Sequence, residues 1–279
     1  MMRIILKHLA ATILIWAAAL QATGLAQDAK LAVINTRGDV WARDLDLVGG
    51  TVGGGMKLSG PGLFGGPDDQ FVVASLNSIA VINTAGGFWP RTVTSSSVGP
   101  GIQFSGTLFG GPDAKYVLDF RSCNQVYVVN DKGDVWSHAI NSSSVGGGWK
   151  LNGNLFGAPD DKYVVLDEIN RRILVVNTRG EVWGHDLSKS DATFCGFNGA
   201  GAGYRLNGPG LFGAPDDKYV AALGNTLMVI NTRGEVWARN MTRSTIGPGV
   251  KLNGPGLFGA PDDKYVVAYF VRQPAPPPR

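Results

Sequence analysis

One segment is written five times along this chain, and a tryptophan marks each copy. The phrase Asn231-Thr232-Arg233-Gly234-Glu235-Val236-Trp237 recurs in variant form at Asn177 to Trp183, Asn130 to Trp136, Asn83 to Trp89 and Asn35 to Trp41, so the tryptophans stand 48, 47, 47 and 54 residues apart. A second phrase, Leu-Phe-Gly-Ala-Pro-Asp-Asp-Lys-Tyr-Val in its fullest form, keeps step with it from Leu63, Leu108, Leu155, Leu211 and Leu257. Periods of this length belong to modular architectures, in which each unit buries its apolar faces only against its neighbours.

Inside each copy the apolar residues alternate or form short continuous runs, which is the pattern of strands, and no helical stripe of useful length occurs after residue 26. In the last copy four strands are predicted: Tyr219 to Gly224, Thr226 to Asn231, Glu235 to Met241 and Val250 to Asn253. Four antiparallel strands per unit and five units predict an all-β chain folded as a five-bladed β-propeller. The first copy begins at the second strand of its blade, and the far end carries a spare first strand, residues 265–271. Docking that strand on the first blade would close the ring. The repeats then fall near 31–70, 71–115, 116–162, 163–218 and 219–264, within a propeller of 27–272, followed by a Pro-rich tail at 273–279.

Residues 1–26 stand apart from the array. Arg3 and Lys7 precede an apolar run ending near Leu20, with small residues up to Ala26, which reads as a signal peptide. The run is shorter than the ~20 residues of a spanning helix. The expected location is therefore secreted or periplasmic, with no membrane span after cleavage. Cleavage would remove Arg3 and Lys7 and no acid, lowering the net charge from +3 to +1. A near-neutral protein lacks the basic footprint of a nucleic-acid binder. Cys123 and Cys195 are the only cysteines. They fall on loops of the same face of adjacent blades, so a disulfide between them is expected in an oxidising compartment.

A position repeated in a propeller becomes a ring. The tryptophan ring is expected to pack between blades. Two residues beyond each tryptophan stands a basic or imidazole side chain, Arg43, Arg91, His138, His185 and Arg239, suited to an inter-blade hydrogen bond or to a ligand. Asp68, Asp113, Asp160, Asp216 and Asp262 follow proline in every copy, and a second acid follows in all but one, where Ala114 stands. Turn capping explains one aspartate better than two. Ion pairs between blades, or a saccharide site of planar polar groups beside an aromatic, would use both. No metal or cofactor is indicated, the oxygen spacing of a calcium loop is missing, and no nucleophile motif or phosphate loop appears. A non-catalytic protein is expected.

The hairpin Arg-Gly-Glu-Val-Trp, the Gly-rich loop before each fourth strand, the five copies and the period together resemble the tachylectin-2 family of five-bladed propeller lectins. Gly146-Gly147-Gly148-Trp149 is similar to that family's Gly-Gly-Trp phrase, while Met56, Ile102, Tyr204 and Val250 occupy the position of Trp149 elsewhere. The resemblance implies amino-sugar binding at one equivalent site per blade. Two functional readings follow: a lectin-like module bearing repeated glycan sites, or a protein-interaction scaffold using the near-identical face. A monomer is expected in either case.

Overall fold

The computed structural model describes residues 27–64, 68–75, 77–108, 113–156, 160–189, 195–212, 216–258 and 262–272. The expected signal peptide and Pro-rich tail lie outside them. Among the described residues no helix is long and apolar enough to cross a membrane.

Five antiparallel sheets form a ring. Blade 1 joins the closing strand Asp263–Arg272 to Gln27–Asn35, Val40–Asp46 and Met56–Lys57. Blade 2 holds Asp69–Ser75, Ser78–Asn83 and Phe88–Thr92. Blade 3 holds Ala114–Phe120, Gln125–Asn130, Val135–Ala139 and Trp149–Lys150. Blade 4 holds Asp161–Asp167, Arg172–Asn177, Val182–Lys189 and Tyr204–Arg205, with an added strand Phe197–Ala200 from its long loop. Blade 5 holds Asp217–Leu223, Thr226–Asn231, Val236–Asn240 and Val250–Lys251. The first strands of the blades neighbour one another cyclically around the axis. The expected closure is thus present, with the C-terminal strand paired from Gln27↔Arg272 to Asn35↔Asp263.

Second strands such as Ile173-Leu174-Val175-Val176 are apolar without alternation because both faces of a blade are covered. Ile173 and Val175 enter the core of the seam with blade 3, and Leu174 and Val176 that of the seam with blade 5. The core is accordingly divided into five clusters, one per seam. Blade 2 departs from the four-strand pattern for a covalent reason. Where other blades place Ala42, Ser137, Gly184 or Ala238 against the fourth strand, it has Pro90, which has no N–H to give. Its fourth strand is reduced to one backbone bond, Phe104 N to Phe88 O at 3.0 Å.

Each first strand begins two residues before the apolar run, at Asp69, Ala114, Asp161, Asp217 or Asp263. In each ladder the register shifts across the next residue, as between Asp161 and Tyr163. That bulge leaves Lys162 and its equivalents outside the ladder and exposed, at the heads of the strands that gather around the axis.

Besides the bonds of Arg43, Arg91 and Arg239, three kinds of tie cross the seams. At the perimeter, each blade's fourth strand runs into a two-bond parallel bridge with the next blade's corner, as Asn152 N to Asn198 O at 2.9 Å and Ala200 N to Asn152 O at 2.7 Å. The Ser-Gly or Asn-Gly that ends each such strand is explained here. Gly153 has φ +101°, and a Cβ on it would lie 2.0 Å from the Ala200 carbonyl oxygen. Near the axis, Tyr116, Tyr163, Tyr219 and Tyr265 donate to the carbonyls of Lys162, Lys218, Lys264 and Gln70 on the next blade, at 2.6–2.8 Å. Phe71 occupies the fifth position and carries no hydroxyl.

The third kind is local. The disulfide Cys123–Cys195, Cα atoms 5.2 Å apart, joins blades 3 and 4 as expected. Between blades 4 and 5, the fully buried Arg172 donates to Asp167 at 2.8 Å, to the Tyr204 hydroxyl at 3.2 Å, to the Thr242 carbonyl at 2.7 Å and to the Arg243 carbonyl.

On the loop face of the blade 3–4 seam, burial and, second, the neighbouring Asp119 carboxylate push Glu168 up to about 7, against a 3.4 Å hydrogen bond from Ser122 that acts the other way. The folded value exceeds the unfolded one of 4.5. Glu168 therefore favours the fold below its unfolded value, and that contribution is lost as pH rises through about 7. Glu168→Gln, which stays neutral, is expected to unfold at a stability roughly 1–2 kcal/mol above the parent at pH 8 and close to it at pH 5. Denaturant melts at the two pH values check this, and an equal difference at both would refute it.

Candidate functional site

The repeated hairpin builds one wall of the candidate site. Asn177 ends the second strand of blade 4, and its Oδ1 accepts from the backbone N–H of Arg179 at 3.0 Å and of Glu181 at 2.9 Å. Its Nδ2 donates to Glu181 at 2.7 Å. Arg179 then bridges Asp160 at 3.2 Å and Glu181 at 2.9 Å, and Arg205 on the fourth strand pairs with Glu181 at 3.1 Å. These donors, Asn177 before Arg179, hold the Glu181 carboxyl below its ordinary value. The exposed ion pairs are individually worth little, but they fix the hairpin's polar groups in place.

Beneath that hairpin a cleft of about 300 Å³ opens between blades 3 and 4. Blade 4 lines it with Asp161, Asn177, Arg179, Trp183 and His185, and the loop leaving blade 3 with Asn154, Leu155 and Phe156. Trp183 and His185 share a strand face, two residues apart. The imidazole Nδ1 lies 2.9 Å from the Gly201 carbonyl, and the ring also faces the Leu155 carbonyl across the seam. Burial holds His185 below its ordinary value, with those two carbonyls and Asp161 opposing. Gly203 makes room for the ring, since a Cβ there would sit 2.8 Å from Cε1. The glycine before every fourth strand has this role, standing against Arg43, Arg91, His138 or Arg239 in the other blades. An indole beside a carboxylate, an amide, a guanidinium and an imidazole can stack on an apolar ring face while exchanging hydrogen bonds with its hydroxyls.

The other expected site residues are placed differently. Asp160, Asp216 and Asp262 pair with Arg179, Arg233 and Arg37 at 3.2, 3.5 and 3.6 Å. Asp68 accepts from the Thr84 hydroxyl at 3.4 Å, and Asp113 accepts from the Asp131 N–H through its carbonyl at 3.0 Å. All of these contacts lie within one blade, which corrects the expectation that the ion pairs join blade to blade; each aspartate fastens the start of a first strand to its own hairpin. Arg43, Arg91 and Arg239 are 8% exposed and donate from Nη2 to the carbonyls of Leu257, Leu63 and Leu211 on the preceding blade, each at 2.9 Å. His138 lies 3.1 Å from the Gly146 carbonyl of its own blade. Trp149 stands on the perimeter, 39% exposed, with Nε1 donating to the Phe197 carbonyl at 3.4 Å. It lies outside the cleft.

Trp89 and Trp183 pack against seam cores as expected, whereas Trp41 and Trp136 are each 38% exposed. The fourth strands that would cover them are two residues long, and Lys57 and Lys150 are their partners there. Asp161, the second acid of its phrase, lines the cleft, and the pairing of two adjacent acids was its signal in the sequence. Among the described residues no group of three or more His, Cys, Asp or Glu side chains could hold a metal ion.

The topology defines a five-bladed propeller. No protein-family model matches the chain, and no curated protein matches it. Among solved structures it is similar to Citrobacter koseri AztD, at 14% identity and a TM-score of 0.37, covering 82% of this chain and 55% of that one. It is similar to human WBSCR16 at 11% identity and 0.39, covering 81% and 66%. A putative 6-phosphogluconolactonase from Bacteroides uniformis matches at 12% identity and 0.39, covering 81% and 68%. The chain spans little more than half the length of AztD, and none of these likenesses is close enough to lend it a ligand.

Proposed function

We propose that this protein is a non-catalytic, secreted or periplasmic binding protein that takes a saccharide in the cleft between blades 3 and 4. The observation that carries the reading is the combination of the Trp183 indole with the planar polar groups of Asp161, Asn177 and His185 in one concave seam. A pyranose has the matching chemistry, with an apolar face for the indole and hydroxyls for the rim. The disulfide Cys123–Cys195 suits an oxidising compartment. The resemblance to tachylectin-2 points the same way through the hairpin and glycine phrases.

The test is a glycan array with the oxidised protein, followed by titration of any hit against Trp183→Ala and Asp161→Asn. Binding at least tenfold weaker in both variants, with the Asp161→Asn melt close to the parent's, is the expected result. Failure of the intact protein to bind any glycan, or equal binding by both variants, would overturn the reading. The first of those outcomes would favour a protein partner on the face formed by the hairpins.

A further inference from the structure

The bulge at the head of each first strand sets one residue outside the ladder, and in four blades that residue is a lysine: Lys115, Lys162, Lys218 and Lys264, with Gln70 in the fifth. All five are exposed, and the strands that carry them neighbour one another around the axis. The carbonyls of Lys162, Lys218, Lys264 and Gln70 accept from an aromatic hydroxyl of the preceding blade at 2.6–2.8 Å. The lysine Nζ atoms each stand over two rings. Lys162 lies 5.0 Å from the centroid of Tyr163 and 5.9 Å from that of Phe212, and Lys264 lies 5.0 Å from Tyr265 and 6.0 Å from Phe64. Lys115 and Lys218 hold the same relation at 5.1–5.6 Å. The neighbouring acids serve other cations. Asp160, Asp216 and Asp262 pair with the hairpin arginines, and Asp69, Asp217 and Asp263 act on Arg91, Arg239 and Arg43 in the seams.

We propose that Lys115, Lys162, Lys218 and Lys264 form an axial site for a ligand that bears clustered oxyanions, phosphate or sulfate groups. The whole chain carries a net charge of only +3, so four ammonium groups gathered at one end of the axis are a local concentration of charge, self-repelling until an anion joins them. The ring faces fix where each ammonium stands, but they do not use up its three N–H donors. Phosphate and sulfate oxygens take such donors in charge-assisted hydrogen bonds. Side chains already restrained by rings, on a backbone already tied to the next blade, also lose less freedom on binding than free lysines do. The site adjoins the cleft at Phe156, whose ring Lys115 shares, but it does not rest on the saccharide reading.

Calorimetric titration of the oxidised protein at low salt with tripolyphosphate and with sucrose octasulfate tests the site. The first probe is a free phosphate chain and the second carries sulfate esters on a sugar, so the tighter of the two names the source. Lys162→Gln, Lys218→Gln and Lys264→Gln together should weaken binding about tenfold or more. Lys57→Gln, Lys150→Gln and Lys251→Gln together remove the same charge from the fourth strands and should change it by less than about threefold. Gln70→Lys fills the gap in the ring and should tighten binding by about threefold or more, a gain that damage to the fold cannot mimic. Thermal melts of all three variants accompany the titrations. Tripolyphosphate binding that follows these changes while the glycan array stays blank would uphold the axial site and refute the saccharide reading. No binding of either probe by the intact protein, equal weakening by the two triple variants, or no gain from Gln70→Lys would overturn the axial site.

Discussion

Replacing both Cys123 and Cys195 with serine is expected to lower the stability of the protein by about 2–5 kcal/mol. The bridge closes a loop of 72 residues in sequence, so the unfolded chain gains considerable freedom without it. It also sits in the seam that holds the cleft. Cys195 and Phe197 come from the long loop of blade 4, and Phe197 stacks on Phe120 of blade 3 with ring centroids 5.7 Å apart. Gln125 of blade 3 donates to the Cys195 carbonyl at 3.0 Å. Denaturant unfolding of the parent and the double variant measures the loss. A change below 0.5 kcal/mol, by the same order-of-magnitude scale, would mean that the seam is held by packing alone.

Arg172→Met is the second large effect, with an expected loss of about 3–5 kcal/mol. The guanidinium and its partner Asp167 are both fully buried, and the arginine also satisfies the carbonyls of Thr242 and Arg243 on blade 5. Removing it strands a buried carboxylate and two carbonyls at once. Asn170 still donates to Asp167, from its N–H at 3.1 Å and its Nδ2 at 2.9 Å, which softens the penalty without replacing the cation. The double substitution Arg172→Met with Asp167→Leu should lose less than Arg172→Met alone, because it removes the uncompensated charge. If the double variant were the less stable of the two, the cost would lie in lost packing and backbone bonds and not in the stranded charge.

The ring was legible in the sequence because its causes are local and repeated. Continuous apolar second strands, hairpins ending in Gly-Glu-Val-Trp, and a spare strand at 265–271 each state one element of the propeller, and the structure pairs them accordingly. The exception, blade 2, was also written in the chain, as Pro90, but its effect depends on which strand edge needs the N–H. The site was harder to read. Asp160 and Asp161 are adjacent, yet one serves its own hairpin and the other the cleft, and the bulge at Lys162 lies just beyond them at the head of the strand. Alternation cannot foresee such a bulge. Arg43, Arg91, His138, His185 and Arg239 read as one basic ring. Their chemical likeness hid a difference in partners: the arginines donate to a leucine carbonyl of the preceding blade, whereas His138 meets the Gly146 carbonyl of its own. Trp149 drew attention through its glycine phrase, while the glycine itself served to admit the neighbouring imidazole of His138.

The proposed saccharide would lie between Trp183 and the loop of Leu155 and Phe156. A crystal of the oxidised protein soaked with an array-positive saccharide should show density for a sugar ring against the Trp183 indole, with hydroxyls within hydrogen-bond distance of His185 and Asp161. Density seated elsewhere, such as on the perimeter at Trp149, with the cleft holding only water, would refute the proposed site.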